Sequence, residues 1–564
     1  MTTDDLREAC GVFAVYGSKQ PVAQLCYLGL FALQHRGQEA AGMAVSDGET
    51  ITVVKDQGLV ASVFDDRTLA GLTGHLAIGH CRYSTTGSST WRNAQPAYRS
   101  VGEHEFALGH NGNLVNTERL ARGAGMLQGT VTSDSDLVAE LLAAALARLA
   151  GEREGAGAGP SGAVGVAGSP GSVPVTGVGG ANGAGGDGTG FNGADGAGGD
   201  RAAGRGGTNG ESRDADGGAG GTAATGGHLL AEALAEVVPT LEGAFSLTLM
   251  DETCIVGVRD PHGFRPLCLG RLDDGGWVLA SETPALDIVG AEFVRELEPG
   301  EMVVIDADGP RSSHPFAPER VDPRLCLFEF VYFARPDSRL YASSVHQARV
   351  RMGEQLAEQA PVEADMVMGV PESGVPAAEG FAHRSGIPLG QGLVKNRYIG
   401  RSFIAPSQEL RARAVRMKLN PLRENIEGKR LVVVDDTIVR GTTQQALVKM
   451  LREAGAREVH LRITSPPVKW SCFYGIDTGE RSELIAAKLE IDEIRDYLAV
   501  DTLAYLSLAR LRSATGVPEA GFCDACWTGD YPVEVPVTLR KHVLEDNEQR
   551  FSEDIVQPAL DGTT

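Results

Sequence analysis

The sequence predicts two folds joined in one chain: an α+β first half, and an α/β second half built on a mainly parallel sheet. Three features support this reading. Short strand-like runs at 245–250 (FSLTLM), 254–258 (CIVGV) and 277–281 (WVLAS) need sheet partners, and the strands before residue 130 supply them. After residue 325, apolar strands alternate with amphipathic helices. Between 151 and 228 the composition collapses to Gly, Ala, Ser, Thr, Asp and scattered Val, and neither pattern continues.

In the first half, 136–149 (DLVAELLAAALARL) reads as a helix. The segment 151–228 that follows holds 30 of the chain's 73 glycines and one aromatic residue, Phe191. Such a segment cannot bury enough apolar area to offset its ordering entropy, so it reads as a disordered loop. A helix resumes at 228–238 (HLLAEALAEVV) and looks like a neighbour of the earlier one. Long loops add little closure entropy as they lengthen, so 151–228 is expected as an insertion within one fold.

In the second half, 325–333 (LCLFEFVYF) reads as an apolar strand and 345–357 as a helix. Residues 366–370 form a short strand ending in PESG, and 429–434 (KRLVVV) form another. TTQQALVKMLREAGA places Leu447, Met450, Leu451 and Ala454 at helical spacing, and EVHLRI is the next strand. This is the crossover unit of a parallel sheet, in which ligands sit at the carboxyl ends of the strands.

Composition narrows the function. With 564 residues the chain has room for two to four domains. Its 74 acidic and 51 basic residues give a net charge of −23, which argues against a nucleic-acid binder but not against a small phosphorylated ligand. No apolar run approaches the roughly 18 residues of a membrane span, and MTTDDLREAC lacks the basic and apolar regions of a signal peptide. A soluble, cytoplasmic protein is expected. Nine cysteines, an odd number with only Cys523 and Cys526 close together, do not suggest a secreted disulfide framework.

The strongest local signal is LVVVDDTIVRGTT at 431–443. Four apolar residues run into Asp435 and Asp436, carboxylates that need a hydroxyl, cation or metal partner if buried. Arg440, Gly441, Thr442 and Thr443 then open a helix, whose free N–H groups and hydroxyls can cradle a phosphate. Together they suit one sugar phosphate. The segment resembles the signature of the type I phosphoribosyltransferases. That resemblance implies that Asp435 and Asp436 meet the ribose hydroxyls of phosphoribosyl pyrophosphate (PRPP), and that the Thr-rich turn holds its 5-phosphate. It also implies Mg²⁺ near Ser373, Asp435 and Asp436, and a basic region, Lys395, Arg397, Arg401 and Lys418, closing over PRPP.

In the first half, Cys10 precedes an apolar strand, and short words rich in Gly and polar groups follow it: Arg36 in LQHRGQEAAG, Arg82 in GHCRYSTTG, Asn111 and Gly112 in GHNGNLVN, Asp134 in TSDSD. Polar loops joined to apolar strands are where a site is expected. These words resemble the N-terminal-nucleophile (class II) glutamine amidotransferases, and the two halves together resemble the amidophosphoribosyltransferase family. The resemblance implies a four-layer αββα sandwich before the phosphoribosyltransferase fold. It implies a propeptide, 1–9, removed to free the α-amino group of Cys10 as the base beside the thiol. Asn111 and Gly112 become oxyanion donors, and Arg36, Arg82 and Asp134 bind glutamine. His35, His80 and His110 are then structural, and Tyr83 and the stretch 332–338 belong to the domain junction. The implied boundaries are 10–300 for the amidotransferase domain, 301–500 for the phosphoribosyltransferase domain and 501–564 for a helical tail.

The implied reaction moves the amide nitrogen of glutamine to C1 of PRPP, the committed step of purine synthesis in the family, with ammonia enclosed between two sites. Homo-oligomers and inhibition by purine nucleotides are implied as well. Competing readings are an aminating enzyme for hexose phosphates, which needs no PRPP loop, and a PRPP-sensing regulator, which needs no Cys10. One branch of the family holds a [4Fe–4S] cluster on four cysteines. Cys472, Cys523 and Cys526 match three of them, and the fourth is expected in SETPALDIVG, where Pro284 stands. Either the cluster is absent, or an oxygen ligand or a displaced cysteine such as Cys268 completes it.

Overall fold

In a computed structural model of the chain the described residues are 10–83, 90–127, 129–157 (side chains only to 153), 228–396, 418–478, 480–517 and 521–536. The described residues of 1–152 and 224–564 form one compact unit. Of the segment 153–223 only the end of one helix is described, so nearly all of the low-complexity stretch lies outside the described residues.

Two antiparallel sheets make the first half. The seven-stranded sheet runs, in spatial order, Ala291–Glu296, Cys268–Leu272, Trp277–Ala280, Gly11–Tyr16, Leu76–Arg82, Ala40–Ser46, Ile51–Gln57. The six-stranded sheet runs Gly309–Ser313, Met302–Asp306, Ile255–Arg259, Gly243–Met250, His104–Leu114, Ala97–Val101. Period-two alternation divides the side chains of each strand between two apolar layers. In GVFAVY, Phe13 and Val15 pack against the helix Val22–Ala32, whereas Val12 and Ala14 enter the layer between the sheets with Met250, Ile255 and Val303. The outer face of the second sheet is covered by helices Asp134–Gly157 and Leu229–Val237, whose Leu142, Leu146, Leu230 and Leu234 join Leu247 and Val256. Helix, sheet, sheet and helix thus lie in four layers.

The second half holds a four-stranded parallel sheet, Met366–Gly369, Arg430–Asp435, Glu458–Ile463, Thr502–Tyr505. Val432 and Val434 face the helices Val345–Gln359 and Val375–Ser385, while Leu431 and Val433 face Thr442–Glu453 and Ile491–Leu498. Both faces are covered, as the continuous apolar run predicts. Among the described residues no helix is long and apolar enough to cross a membrane.

Three expectations need correction. The first fold does not stop at 300. Met302–Asp306 pairs with Ile255–Arg259 and Gly309–Ser313 completes the sheet, because Met302 and Val304 fill the helix-side layer and Val303 and Ile305 the inter-sheet layer. The second fold does not stop at 500, since Thr502–Tyr505 is the edge strand of its parallel sheet and helix Leu508–Thr515 packs on its core. Finally, 325–333 is a strand only at Leu325–Cys326, after which Glu329–Phe333 coils as a π-helical turn. A short apolar run buried on all sides does not distinguish strand from helix by periodicity.

Candidate active sites

Cys10 stands immediately before the central strand Gly11–Tyr16 and is 6 % exposed. Its Sγ donates to the Tyr83 carbonyl at 3.3 Å and accepts from the Tyr83 N–H at 3.4 Å. Burial pushes the thiol up to about 11, against the opposing pull of the Tyr83 N–H and the Arg82 charge. A small polar cavity opens beside it, walled by Arg82, Tyr83, Gly112, Asp134 and Ser135. Arg82 and Asp134 present opposite charges to this cavity, which suits a zwitterionic amino acid. The Asp134 carboxylate accepts from the Ser135 N–H at 2.8 Å and the Leu114 N–H at 3.3 Å, so its direction is set by the backbone.

Asn111 is fully buried, and among the described residues neither its Nδ2 nor its Oδ1 has a hydrogen-bond partner. An unsatisfied buried amide costs about 1–3 kcal/mol, and a ligand oxygen would remove that penalty. Two residues earlier on the same strand face, a Cβ at Gly109 would lie 3.6 Å from Val12 and 3.8 Å from His80, so this face looks toward the first sheet and the strand of Cys10. Gly112 has φ +152°, and a Cβ there would lie 2.0 Å from the Ala244 carbonyl oxygen; only glycine fits.

Arg36 is not at this cavity. Its guanidinium is sealed between Glu282, which its Nε meets, and Glu329, whose Oε2 lies 2.7 Å from Nη2. Arg265 reaches the other oxygen of Glu329 at 3.0 Å, and all four side chains are fully buried. The glutamine-binding role expected of Arg36 is therefore replaced by an internal one, because both faces of its fork are occupied. His35 Nε2 meets Glu282 at 2.7 Å, and burial drives His80 down to about 3, a neutral ring against the His110 carbonyl, whereas His110 lines the cavity with its Nδ1 3.6 Å from Asp134. Ser338 and the Arg335 N–H, from the junction stretch, also bond Glu282.

The second centre lies at the carboxyl end of strand Arg430–Asp435. Asp435 and Asp436 are each 6 % exposed. Ser373 Oγ donates to Asp436 at 2.5 Å and Thr437 Oγ1 at 2.8 Å, while Gln444 reaches Asp435 at 3.4 Å. Burial raises both carboxyls, and the neighbouring charge of Asp436 raises Asp435 further. Two acids held in this way favour a cation or hydroxyl donors between them. Gly441 (φ +83°) caps the helix Thr442–Glu453, and Arg440 is held by Glu483 at 2.7 Å. Lys395, 3.6 Å from Glu372, sits on the strand Leu393–Lys395 paired with Leu419–Pro421, next to Lys418. Arg397 and Arg401 lie outside the described residues, as does the expected propeptide 1–9.

Comparison with known proteins agrees with this layout. A phosphoribosyl transferase domain model matches residues 343–464 and a glutamine amidotransferase domain model matches 222–287. The amidophosphoribosyltransferase of Mycobacterium tuberculosis is 48 % identical over 554 residues, covering 96 % of this chain and 89 % of that protein. The Synechococcus elongatus enzyme of the same name is 43 % identical, covering 96 % and 94 %. The solved structure of glutamine PRPP amidotransferase from B. subtilis, complexed with ADP and GMP, superposes with a TM-score of 0.74 at 38 % identity, over 95 % of this chain and 99 % of that one. The chain belongs to the amidophosphoribosyltransferase family.

The fold gathers a cysteine group that the sequence conceals. Pro284 is buried at the start of helix Thr283–Ile288, and Cys268 lies in the first sheet, donating to the Ala280 carbonyl at 3.1 Å. Neither joins Cys472. Cys326 does: it stands opposite Cys523 in the parallel pair Leu325–Cys326/Phe522–Cys523, with Cys526 one turn on. Burial pushes Cys523 and Cys526 up, and the charges of Cys326 and Cys472 add to that rise. The sequence reading missed Cys326 because its run looked like plain core. It also missed Glu282, Glu329 and Arg265. Elsewhere, His228, Asp251 and Cys254 bring a ring nitrogen, a carboxylate and a thiol within 4.8 Å of one another, a set able to hold a metal ion.

Proposed function

We propose that the two centres work in series on one nitrogen atom. The chain is a glutamine-dependent PRPP amidotransferase that forms 5-phosphoribosylamine, the first step of purine biosynthesis. With residues 1–9 removed, the α-amine of Cys10 takes the thiol proton and Sγ attacks the glutamine amide carbon. Arg82 and Asp134 hold the α-carboxylate and α-ammonium of the substrate. The Asn111 amide and the Gly112 N–H receive the oxyanion, and the amide leaves as ammonia, giving a thioester that water cleaves to glutamate. At the second centre Asp435 and Asp436 orient the ribose, and residues 440–443 hold the 5-phosphate. Lys395 and Lys418, with Arg397 and Arg401, balance the charge on departing diphosphate as ammonia attacks C1. Ser373, Asp435 and Asp436 fit Mg²⁺, which supplies charge neutralisation on the diphosphate.

The observation that supports this most is the pairing, in one compact unit, of a cavity-lining thiol near an unsatisfied buried amide with an acidic strand end. Turnover with PRPP, Mg²⁺ and either glutamine or ammonia tests it. Joint Asp435→Asn and Asp436→Asn substitution is expected to lower both rates by at least about 100-fold, since both nitrogen sources converge on one ribose. Retention of the ammonia-dependent rate would refute the second-centre assignment.

Cys326, Cys472, Cys523 and Cys526 fit a [4Fe–4S] cluster: thiols burdened by burial and by one another are relieved by a cationic core, which would tie three distant segments together. Protein purified without oxygen is expected to contain iron and sulfide and to lose both on Cys326→Ser. A colourless, iron-free preparation would end this assignment. All nine cysteines are free thiols, which supports a reducing, cytoplasmic setting. The nucleotides bound to the B. subtilis relative support inhibition by purine nucleotides, and a homo-oligomer is in keeping with the family.

A further inference from the structure

The loop after Cys472 belongs to the second half by sequence, yet its backbone is pressed against the first centre. Gly475 has φ +104°, and a Cβ on it would lie 3.2 Å from both the Cα and the carbonyl carbon of Gly112, and 3.3 Å from Arg265 Nη2. Gly112 itself has Ala244 on its side-chain face. The oxyanion-donor residue is thus wedged between its own sheet and a loop from the other fold.

The flanking residues hold that loop in place. Asn113 Nδ2 donates to the Phe473 carbonyl at 2.9 Å, one residue beyond Gly112. Arg265 donates twice to the Tyr474 carbonyl, at 3.1 and 2.8 Å, and is anchored in turn on Glu329. The Tyr474 ring stacks on Phe264 with centroids 4.5 Å apart, and its hydroxyl donates to the Val533 carbonyl at 2.6 Å. Three of these bonds end on the loop's own carbonyls, Phe473 O and Tyr474 O, and the Tyr474 side chain pins the loop from its other side.

We propose that Gly475 is a positioning residue for glutamine hydrolysis: the 473–475 loop sets the placement of the Gly112 N–H toward the developing oxyanion. This rests on the oxyanion role given above to Gly112. It follows that the second fold controls the first centre through backbone contact, at a point where a displacement well under 1 Å matters.

Gly475→Ala tests it, because the added methyl meets Gly112 and its backbone conformation is costly for any residue but glycine. The expected result is a fall in glutamine-dependent kcat of about 10- to 100-fold, with KM for glutamine and the ammonia-dependent rate each within about twofold. A purely structural role would lower both rates together, and that outcome overturns the proposal, as does an unchanged glutamine-dependent kcat. Should Gly475→Ala fail to fold, Asn113→Ala, which releases Phe473, decides: a selective fall of about three- to tenfold in glutamine turnover supports the proposal and parallel losses refute it. Cys10→Ala, assayed alongside, separates the two readings. If that variant still used glutamine, the first-centre reading would fail before the loop's role arose.

Discussion

Replacing Cys10 with alanine is expected to abolish glutamine-dependent formation of 5-phosphoribosylamine, a loss of at least about 10³-fold, and to leave the ammonia-dependent rate within about threefold. The asymmetry follows from the placement of the thiol. Cys10 is bound to Tyr83 and lines a cavity walled by Arg82 and Asp134, and no residue of the acidic strand end lines that cavity. The same geometry sets a pH dependence. A thiol raised to about 11 is protonated at neutral pH, with on the order of 10⁻⁴ present as thiolate, and a chain that keeps residues 1–9 lacks the free α-amine assigned as its base. Intact-mass measurement of active enzyme is expected to show those nine residues removed. In a chain that retains them, alkylation of Cys10 by iodoacetamide should quicken as pH rises toward 11. Glutamine turnover by Cys10→Ala, or full activity with the leader attached, would contradict the nucleophile assignment.

The second large effect is on stability. Glu329→Gln keeps the shape but removes the charge shared by Arg36 and Arg265. Because all three side chains are sealed from water, breaking this arrangement is expected to cost about 3–5 kcal/mol, far above the 0–1 kcal/mol of surface ion pairs such as Arg148–Glu152. A markedly lower thermal midpoint at fixed scan rate is the readout, and a midpoint within about 1 °C of the parent would refute it. Glu282, on the other side of Arg36, responds to acid. Burial alone would raise its carboxyl, but Arg36 and then His35 hold it well below the ordinary value. Its contribution to stability is therefore complete above the ordinary carboxyl value of 4.5, and is lost progressively as pH falls from there through the depressed one.

The placement of the candidate groups was legible in the sequence wherever one short segment contained strand, turn and reactive group together. LVVVDDTIVRGTT is such a segment: the alternation of Leu431, Val432, Val433 and Val434 between two apolar layers is what buries a strand on both faces and leaves Asp435 and Asp436 at its end. Asn111 and Gly112 were legible for the same reason. Arg36 was misread because a motif shows that a guanidinium is present but not which way it points. A fourth cysteine was expected in the segment where Pro284 stands, whereas Cys326 comes beside Cys523 by pairing with a strand near the other end of the described residues.

By itself, then, the sequence pointed to two candidate centres, the strands that carry them, and the low-complexity segment at 151–228. The tertiary structure alone decided that Arg36 serves Glu282 and Glu329, that four cysteines converge, and that Gly475 bears on Gly112. The reason is physical. Period and turn chemistry are written in consecutive residues, but the partner of a buried charge, thiol or backbone contact is selected by packing between segments hundreds of positions apart, which leaves no local pattern to read.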